Sequence, residues 1–228
     1  MKILAIDTST KFLSLALAED DKIISVFHRD MERERCSRLI PEIDKILRKA
    51  KLKLKDIGCI IFSKGPGSFT GLRIGAATVK GLTFGSKIKI VGVPSLDILA
   101  FNIRREVSFI VPIIDARRGN VYASIYSFQK EKLKRHMRYS VLPVGELLKD
   151  IKGDSVFLGD GLIPYGKTIE SDFKYKAYFA GEKDWYPKAS AAVTLGLALI
   201  KKKKFEDPDK FVPMYLYPKD IQCRRRIV

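Results

Sequence analysis

The segment Gly65-Pro66-Gly67-Ser68-Phe69-Thr70-Gly71 constrains this chain more than any other. It stands between an apolar run, Asp56 to Phe62, and a stretch from Thr70 to about Phe84 that reads as a helix carrying Leu72, Ala76, Val79, Lys80 and Thr83. Strand, glycine turn and helix in that order belong to a mixed α/β protein. Two readings of the turn stay open. Free N–H groups at the start of a helix can hold an anion. Alternatively, this is a tight strand-to-helix turn, with Gly71 and Gly75 easing helix packing. No Gly-Lys-Ser/Thr follows at Walker spacing, and the glycines do not fit GxGxxG.

The chain opens on short apolar runs separated by polar turns. Ile3 to Ile6, Phe12 to Ala18 and Lys22 to Arg29 read as an antiparallel meander. From Ser37 the period changes, and Leu39, Ile43, Ile46 and Leu47 recur at helical spacing. Pro41 is expected in the first turn of that helix, where the N–H groups lack intrahelical partners. Ile88 to Val93 reads as a strand and Leu96 to Asn102 as a helix. Val107 to Asp115 should pair with Asn120 to Phe128 across an Arg117–Asn120 turn. Val144 to Asp150 and Ala189 to Lys201 read as helices, with a short strand at Val156 to Leu158 ending in Gly159-Asp160-Gly161. Two sets of elements thus each begin with strand, aspartate turn and strand, though sequence identity is too weak to define a repeat.

At 228 residues the chain is one large domain or two small ones. Hydrophobic residues make up 46%, enough for a packed core, and no apolar run is long enough to span a membrane. A short apolar start that stops at Asp7 does not fit a signal peptide, so a cytoplasmic protein is expected. Cys36, Cys59 and Cys223 are far apart, as are His28 and His136, so neither a disulfide framework nor a metal site is expected. The formal charge of +17 invites a polyanion. Its clusters lie between Arg29 and Lys55, at Lys201 to Lys204, and at Arg224, Arg225 and Arg226. A solvated, lysine-rich surface is the alternative.

Asp7, Thr8, Ser9 and Thr10 form a turn that could hold a metal–phosphate unit, as in actin-like and sugar-kinase-like ATPases. They equally suit an ordinary capped hairpin. Asp115 stands in the matching place of the second set.

Taken together, Ile6-Asp7-Thr8-Ser9, Gly65 through Gly75, and Ile114-Asp115-Ala116-Arg117-Arg118-Gly119-Asn120-Val121-Tyr122 resemble the TsaB (YeaZ) family over nearly the whole chain. Arg38-Leu39-Ile40-Pro41 and Pro213-Met214-Tyr215-Leu216 fit the same pattern. The resemblance implies an α/β, two-lobed actin-like/Hsp70-like (ASKHA) fold, each lobe a mixed sheet with helices. The lobes are expected at 1–101 and 102–228, with the tail free to pack back on the first. It also implies a non-catalytic partner of TsaD in making tRNA threonylcarbamoyladenosine beside the anticodon. ATP and metal would sit on the partner subunits, with no cofactor of its own here. TsaE would be a second partner, tRNA would be reached through the complex, and a homodimer could use the same face.

On that resemblance, Asp7, Thr8, Ser9 and Asp115 would form a degenerate nucleotide-like cleft. Gly65, Gly67, Ser68, Thr70, Gly71 and Arg73 would form its glycine loop. Leu39, Ile43, Ile46, Leu47, Leu72, Ala76 and Val79 would face the partner, although the same stripe could simply pack on its own sheet. Arg224, Arg225 and Arg226 are candidate tRNA contacts. TsaD-like proteins carry a His-x-x-x-His metal pair on the first long helix. Here Arg33-Glu34-Arg35-Cys36-Ser37-Arg38-Leu39 has no histidine, nor the His-Ser pair of many TsaB sequences, and Cys36 alone does not make a site. Asp115 is followed by Ala116-Arg117-Arg118 instead of a glycine-rich phosphate turn. Neither ATP hydrolysis nor peptidase chemistry is therefore expected. The rival readings are an active actin-like ATPase or kinase, argued from Asp7 and Asp115, and a stand-alone tRNA-binding protein, argued from the charge.

Overall fold

A computed structural model describes residues 1–31, 34–104, 107–130 and 132–217, with only the backbone of residues 35 and 36. The opening meander is β1 (Lys2–Asp7), β2 (Phe12–Glu19) and β3 (Lys22–Asp30). Helix α1 (Arg35–Lys49), β4 (Cys59–Ser63), α2 (Phe69–Thr83), β5 (Lys89–Val93) and α3 (Ser95–Ala100) follow. The second half runs β6 (Phe109–Arg117), β7 (Asn120–Ala123), β8 (Tyr126–Gln129), β9 (Lys132–Arg135), β10 (Ser140–Pro143) and α4 (Val144–Asp150). It ends with β11 (Ser155–Leu158), α5 (Leu162–Asp172), β12 (Ala177–Phe179) and α6 (Ala189–Lys201).

One sheet has the order β3-β2-β1-β4-β5; the other follows β10-β7-β6-β11-β12, with β8 and β9 attached beside β6. Strand alternation divides the first core. Leu4, Ile6, Leu13, Leu15 and Leu17 face α1 and α2, while Ile3, Ala5, Ala16 and Ala18 face α6. The small residues on that second face let α6 approach closely. A Cβ on its Gly196 would already crowd Ile61, 2.5 Å from Cδ1. On the far side of the second sheet, α4 and α5 cover Val111, Ile113 and Phe157. Between the sheets lie α3, packed on β6, and α6, packed on β1, β2, β4 and β5. Each lobe's last helix thus serves the central layer, and α6 rests on the first sheet although it follows the second in sequence. The chain after α6 stays there: Glu206 bridges to Ile90, and Phe211 joins the first core.

The contact between halves also has a polar anchor. Asp97 on α3 accepts hydrogen bonds from the Tyr126 hydroxyl at 2.7 Å and the Tyr139 hydroxyl at 2.9 Å. Burial raises the Asp97 carboxyl above its ordinary pKa, against the two tyrosine hydrogen bonds that lower it.

Several expectations need correction. The strand expected from Asp56 begins at Cys59; residues Leu54–Asp56 form a 3₁₀ turn in which the Asp56 carboxylate accepts from the Lys53 N–H at 2.8 Å. Pro41 lies inside α1 instead of in its first turn, on the exposed side, where water can satisfy the carbonyl it leaves free. The strand expected at Asn120 to Phe128 divides at Ser124 and Ile125, where the Ile125 carbonyl turns to accept from the His136 N–H at 2.7 Å. Leu39, Ile43, Ile46, Leu47, Leu72, Ala76 and Val79, expected at a partner interface, are all buried in the first core. Their stripe is spent on the protein's own sheet. Apolar surface remains on α1 and beside α2 at other positions: Ile40 is 50% exposed and Phe84 is 89% exposed.

Candidate cleft between the lobes

A cavity of about 640 Å³ lies where the two sheets' turns meet, lined by Ser9, Thr10, Lys11, Gly67 and Ser68 from the first half. Asp115, Arg117, Tyr122, Asp160 and Tyr186 line it from the second. A second hollow of about 250 Å³ adjoins it, sharing Gly67, Phe69, Ala116, Arg117 and Tyr122, with Met214 to Tyr217 along its edge.

The glycine loop does not form an open phosphate cradle. A Cβ on Gly67 would collide with the Ser9 carbonyl oxygen, and one on Gly71 with the Thr8 carbonyl oxygen. These glycines bring the start of α2 onto the aspartate turn. Ser68 N–H donates to the Ser9 carbonyl at 2.7 Å, and the Thr8 hydroxyl donates to the Gly71 carbonyl at 2.8 Å. The Ser68 hydroxyl caps α2 by accepting from the Gly71 N–H at 3.3 Å. Asp7 and Thr8 are buried beneath this contact. The Ser9 hydroxyl lies 3.0 Å from both Asp7 carboxylate oxygens, and its N–H donates to Asp7 Oδ1 at 3.1 Å. Of the expected glycine-loop residues, Gly67 and Ser68 line the cleft. Gly65 is buried beside Leu72, Thr70 is exposed on α2, and Arg73 stacks over Phe69, 4.2 Å from the ring centroid.

Asp115 does line the cleft, yet its carboxylate is engaged locally. Oδ1 accepts from the Arg117 N–H at 2.8 Å, and Oδ2 lies 3.1 Å from the Arg117 guanidinium. The next turn brings in Asp160, whose Oδ1 accepts from the Asp115 N–H at 3.1 Å. Burial raises the Asp160 carboxyl above its ordinary pKa, opposed by that backbone bond. Sequence reasoning noted Gly159-Asp160-Gly161 but gave it no role. Its signal was the match in position to the glycine loop, between a strand and a helix in the second half.

Lys11 and the aromatic wall were also missed. Lys11 pairs with Asp30 at 2.9 Å and lies 5.4 Å from the Tyr186 ring centroid; the Asp30 hydrogen bond chiefly raises its pKa. The tail crosses the cleft's edge. Met214 N–H donates to the Lys64 carbonyl at 2.6 Å, Tyr215 stands 5.4 Å from Phe69, and the Tyr217 hydroxyl donates to the Ala116 carbonyl at 3.0 Å. Arg224, Arg225 and Arg226, and the Cys36 side chain, lie outside the described residues. Among those described, no group of three or more His, Cys, Asp or Glu side chains converges as metal ligands would, and no helix is long and apolar enough to cross a membrane.

Two lobes of matching strand order around a shared cleft define an actin-like (ASKHA-like) fold. Its structure aligns with that of the inorganic polyphosphate/ATP-glucomannokinase of Arthrobacter sp. strain KM at TM-score 0.52 and 8% identity, covering 87% of this chain and 99% of the other; this is a likeness of fold. YeaZ from Pseudomonas aeruginosa is far nearer, at TM-score 0.80 and 26% identity over 94% of this chain and 99% of that one. The family model for TsaD, tRNA N6-adenosine threonylcarbamoyltransferase, matches residues 26–208. The tRNA threonylcarbamoyladenosine biosynthesis protein TsaB of Bacillus subtilis (strain 168) is 32% identical over 219 residues, 95% of this chain and 94% of its own length. The chain belongs to the TsaB (YeaZ) family, within the wider group that the TsaD model describes.

Proposed function

We propose that this chain works in tRNA threonylcarbamoyladenosine biosynthesis as the non-catalytic partner of a TsaD-type transferase. The observation that carries the reading is the engagement of both turn aspartates: Asp7, buried beneath the start of α2, is held by Ser9, and Asp115, at the cleft, by Arg117. Neither carboxylate stands open toward a metal–phosphate unit, as phosphoryl chemistry in such a cleft would need. Peptidase chemistry has no support in the residues of the cleft. The family membership supplies the pathway, in which ATP and metal would be handled by the partners.

The partner's contact would lie on surface that the first core leaves free. A groove of about 560 Å³ beside α1 and α2 is lined by Ile40, Leu52, Leu54 and Leu82, with Arg48, Lys51 and Lys53 at its rim. A second copy of this chain could use the same groove before the transferase does. TsaE and tRNA would join through the assembled complex, in the cytoplasm. We set the lobe division at 101/102, where the chain leaves the first sheet's last helix, with α6 and the tail returning to the first lobe.

The test is reconstitution. This chain is combined with the TsaD and TsaE of its own organism, tRNA, ATP and a source of threonylcarbamoyl-adenylate, and modified adenosine is counted. Modification should require the chain, while the chain alone modifies nothing. Equal modification without it would overturn the proposal.

A further inference from the structure

We propose that the β8–β9 hairpin is an RNA-phosphate contact surface, a role that rests on the tRNA pathway proposed above. The hairpin has no counterpart in the first lobe, where β2 and β3 pair without such an extension. Lys130, Lys132, Lys134 and Arg138 are all exposed on or just beyond it. Among the described residues none of these four cations pairs with a carboxylate, whereas the basic stretch on α1 is largely neutralised in place. There Arg38 pairs with Glu34 at 2.9 Å, Lys45 with Glu42 at 3.7 Å and Arg48 with Asp44 at 2.8 Å. Lys201 to Lys204 lie at and beyond the end of α6, where cations offset the helix dipole.

The hairpin also has a firm base. Leu133 packs toward the central core opposite Phe128, so Lys132 and Lys134, two positions apart, share the other face. Phe128 meets Phe101 edge-on at 6.0 Å, and Tyr126 is tied to Asp97. Arg135 lies over the Tyr139 ring, 4.1 Å from its centroid, and Tyr139 itself bonds Asp97. A row of cations that pairs with no carboxylate among the described residues, on a supported strand, suits a polyanionic backbone, which is recognised by charge more than by sequence. The alternative is that edge-strand lysines only deter strand-to-strand aggregation.

Binding of the full chain to an in-vitro transcribed tRNA, measured across salt concentrations, separates these readings. The Lys132→Gln/Lys134→Gln variant should bind about fivefold to tenfold more weakly, with a log affinity against log salt slope shallower by about 1.5 to 2. Lys132→Arg/Lys134→Arg should bind as wild type, which excludes a folding defect. Lys87→Gln/Lys89→Gln removes equal charge from exposed positions elsewhere and should also bind as wild type. Unchanged affinity in the hairpin variant, or equal loss in the Lys87/Lys89 variant, overturns the proposal. Intact tRNA binding with weakened TsaD association would reassign the surface to a protein and likewise overturn it. Because binding is read directly, an RNA contact that fails here leaves the reconstitution result standing, and the converse holds.

Discussion

Placed side by side, the two lobes share one plan and use it differently. The first sheet is β3-β2-β1-β4-β5, and the path through the second is β10-β7-β6-β11-β12, so the five positions correspond one to one. In both, the strand after the meander leads through a glycine turn into a helix, and the glycines serve the same purpose. Gly67 and Gly71 sit against the backbone of the Asp7 turn, and Gly159 against the Ile113 carbonyl oxygen of β6. The aspartate turns differ. Asp7 is sealed under the start of α2, whereas Asp115 lies at the cleft on a turn whose Arg117 is 85% exposed. The outer helices differ as well: α1 has 15 residues and α4 has 7. One lobe has kept a locked turn and a long outer helix, and the other has opened its turn and gained a basic hairpin.

The largest expected effect tests whether the glycine contacts are equivalent. Gly71→Ala would drive a Cβ into the Thr8 carbonyl oxygen, and Gly159→Ala would do the same to the Ile113 carbonyl oxygen. Neither obstacle is a side chain that can swing away. Each variant should lose about 3 kcal/mol or more in denaturant unfolding. A loss of this size in one lobe and less than about 1 kcal/mol in the other would show that only one turn is held by this contact.

The parts of this plan that could be read from sequence were those with a strong period or a strong turn. Helix α6 falls at the expected Ala189 to Lys201, because its apolar pattern is continuous, and the meander's strands fall within a residue or two. Helix α5 was not expected, since Pro164 and Gly166 interrupt its pattern; β9, β10 and β12 are short strands, β9 and β12 mostly exposed and β10 half-buried. In the cleft, Ser9, Gly67 and Asp115 were legible as turn chemistry, as was Asp7 buried beneath it. Lys11, Asp160 and Tyr186 were not, because their proximity is made by the packing of one lobe on the other. The apolar stripe of α1 and α2 shows the same limit: spacing reveals which residues are buried but not what buries them.

The two histidines extend the comparison, one beside each sheet. His136 Nε2 lies 2.8 Å from the Ser127 hydroxyl, while His28 Nδ1 is buried without a hydrogen-bond partner and its ring stacks on Phe12 at 4.7 Å. Burial, and secondarily the charge of Lys188, lowers the His28 pKa to about 4. The folded pKa lies below the unfolded value of about 6.5, so the unfolded chain binds more protons between them. His28 therefore imposes no penalty above pH 6.5 and destabilises the fold as pH falls from there to 4. Discounted for solvent screening of a partly exposed ring, the loss should be about 1–2 kcal/mol. His28→Phe, which keeps the stack, should flatten the melting temperature against pH over that window. An unchanged profile would place the acid sensitivity elsewhere.

The smallest effect concerns the open turn itself. Arg117, Arg118 and Gly119 follow one another at φ of 66°, 54° and 80°, a left-handed run that suits glycine and strains the two arginines. Arg117 has compensation, since its N–H and guanidinium both engage Asp115. The Arg118 carbonyl accepts from the Asn120 side-chain amide at 3.2 Å, a backbone contact that survives loss of the Arg118 side chain. Arg118→Gly should therefore raise stability by about 0.5–1 kcal/mol in equilibrium unfolding, less whatever entropy the added glycine gives the unfolded chain. The first lobe has no such position between Asp7 and Phe12, so no equivalent gain is available there. A gain would mean that the second turn carries strain to keep its arginines at the cleft, while a loss would mean that the Arg118 side chain supports the turn.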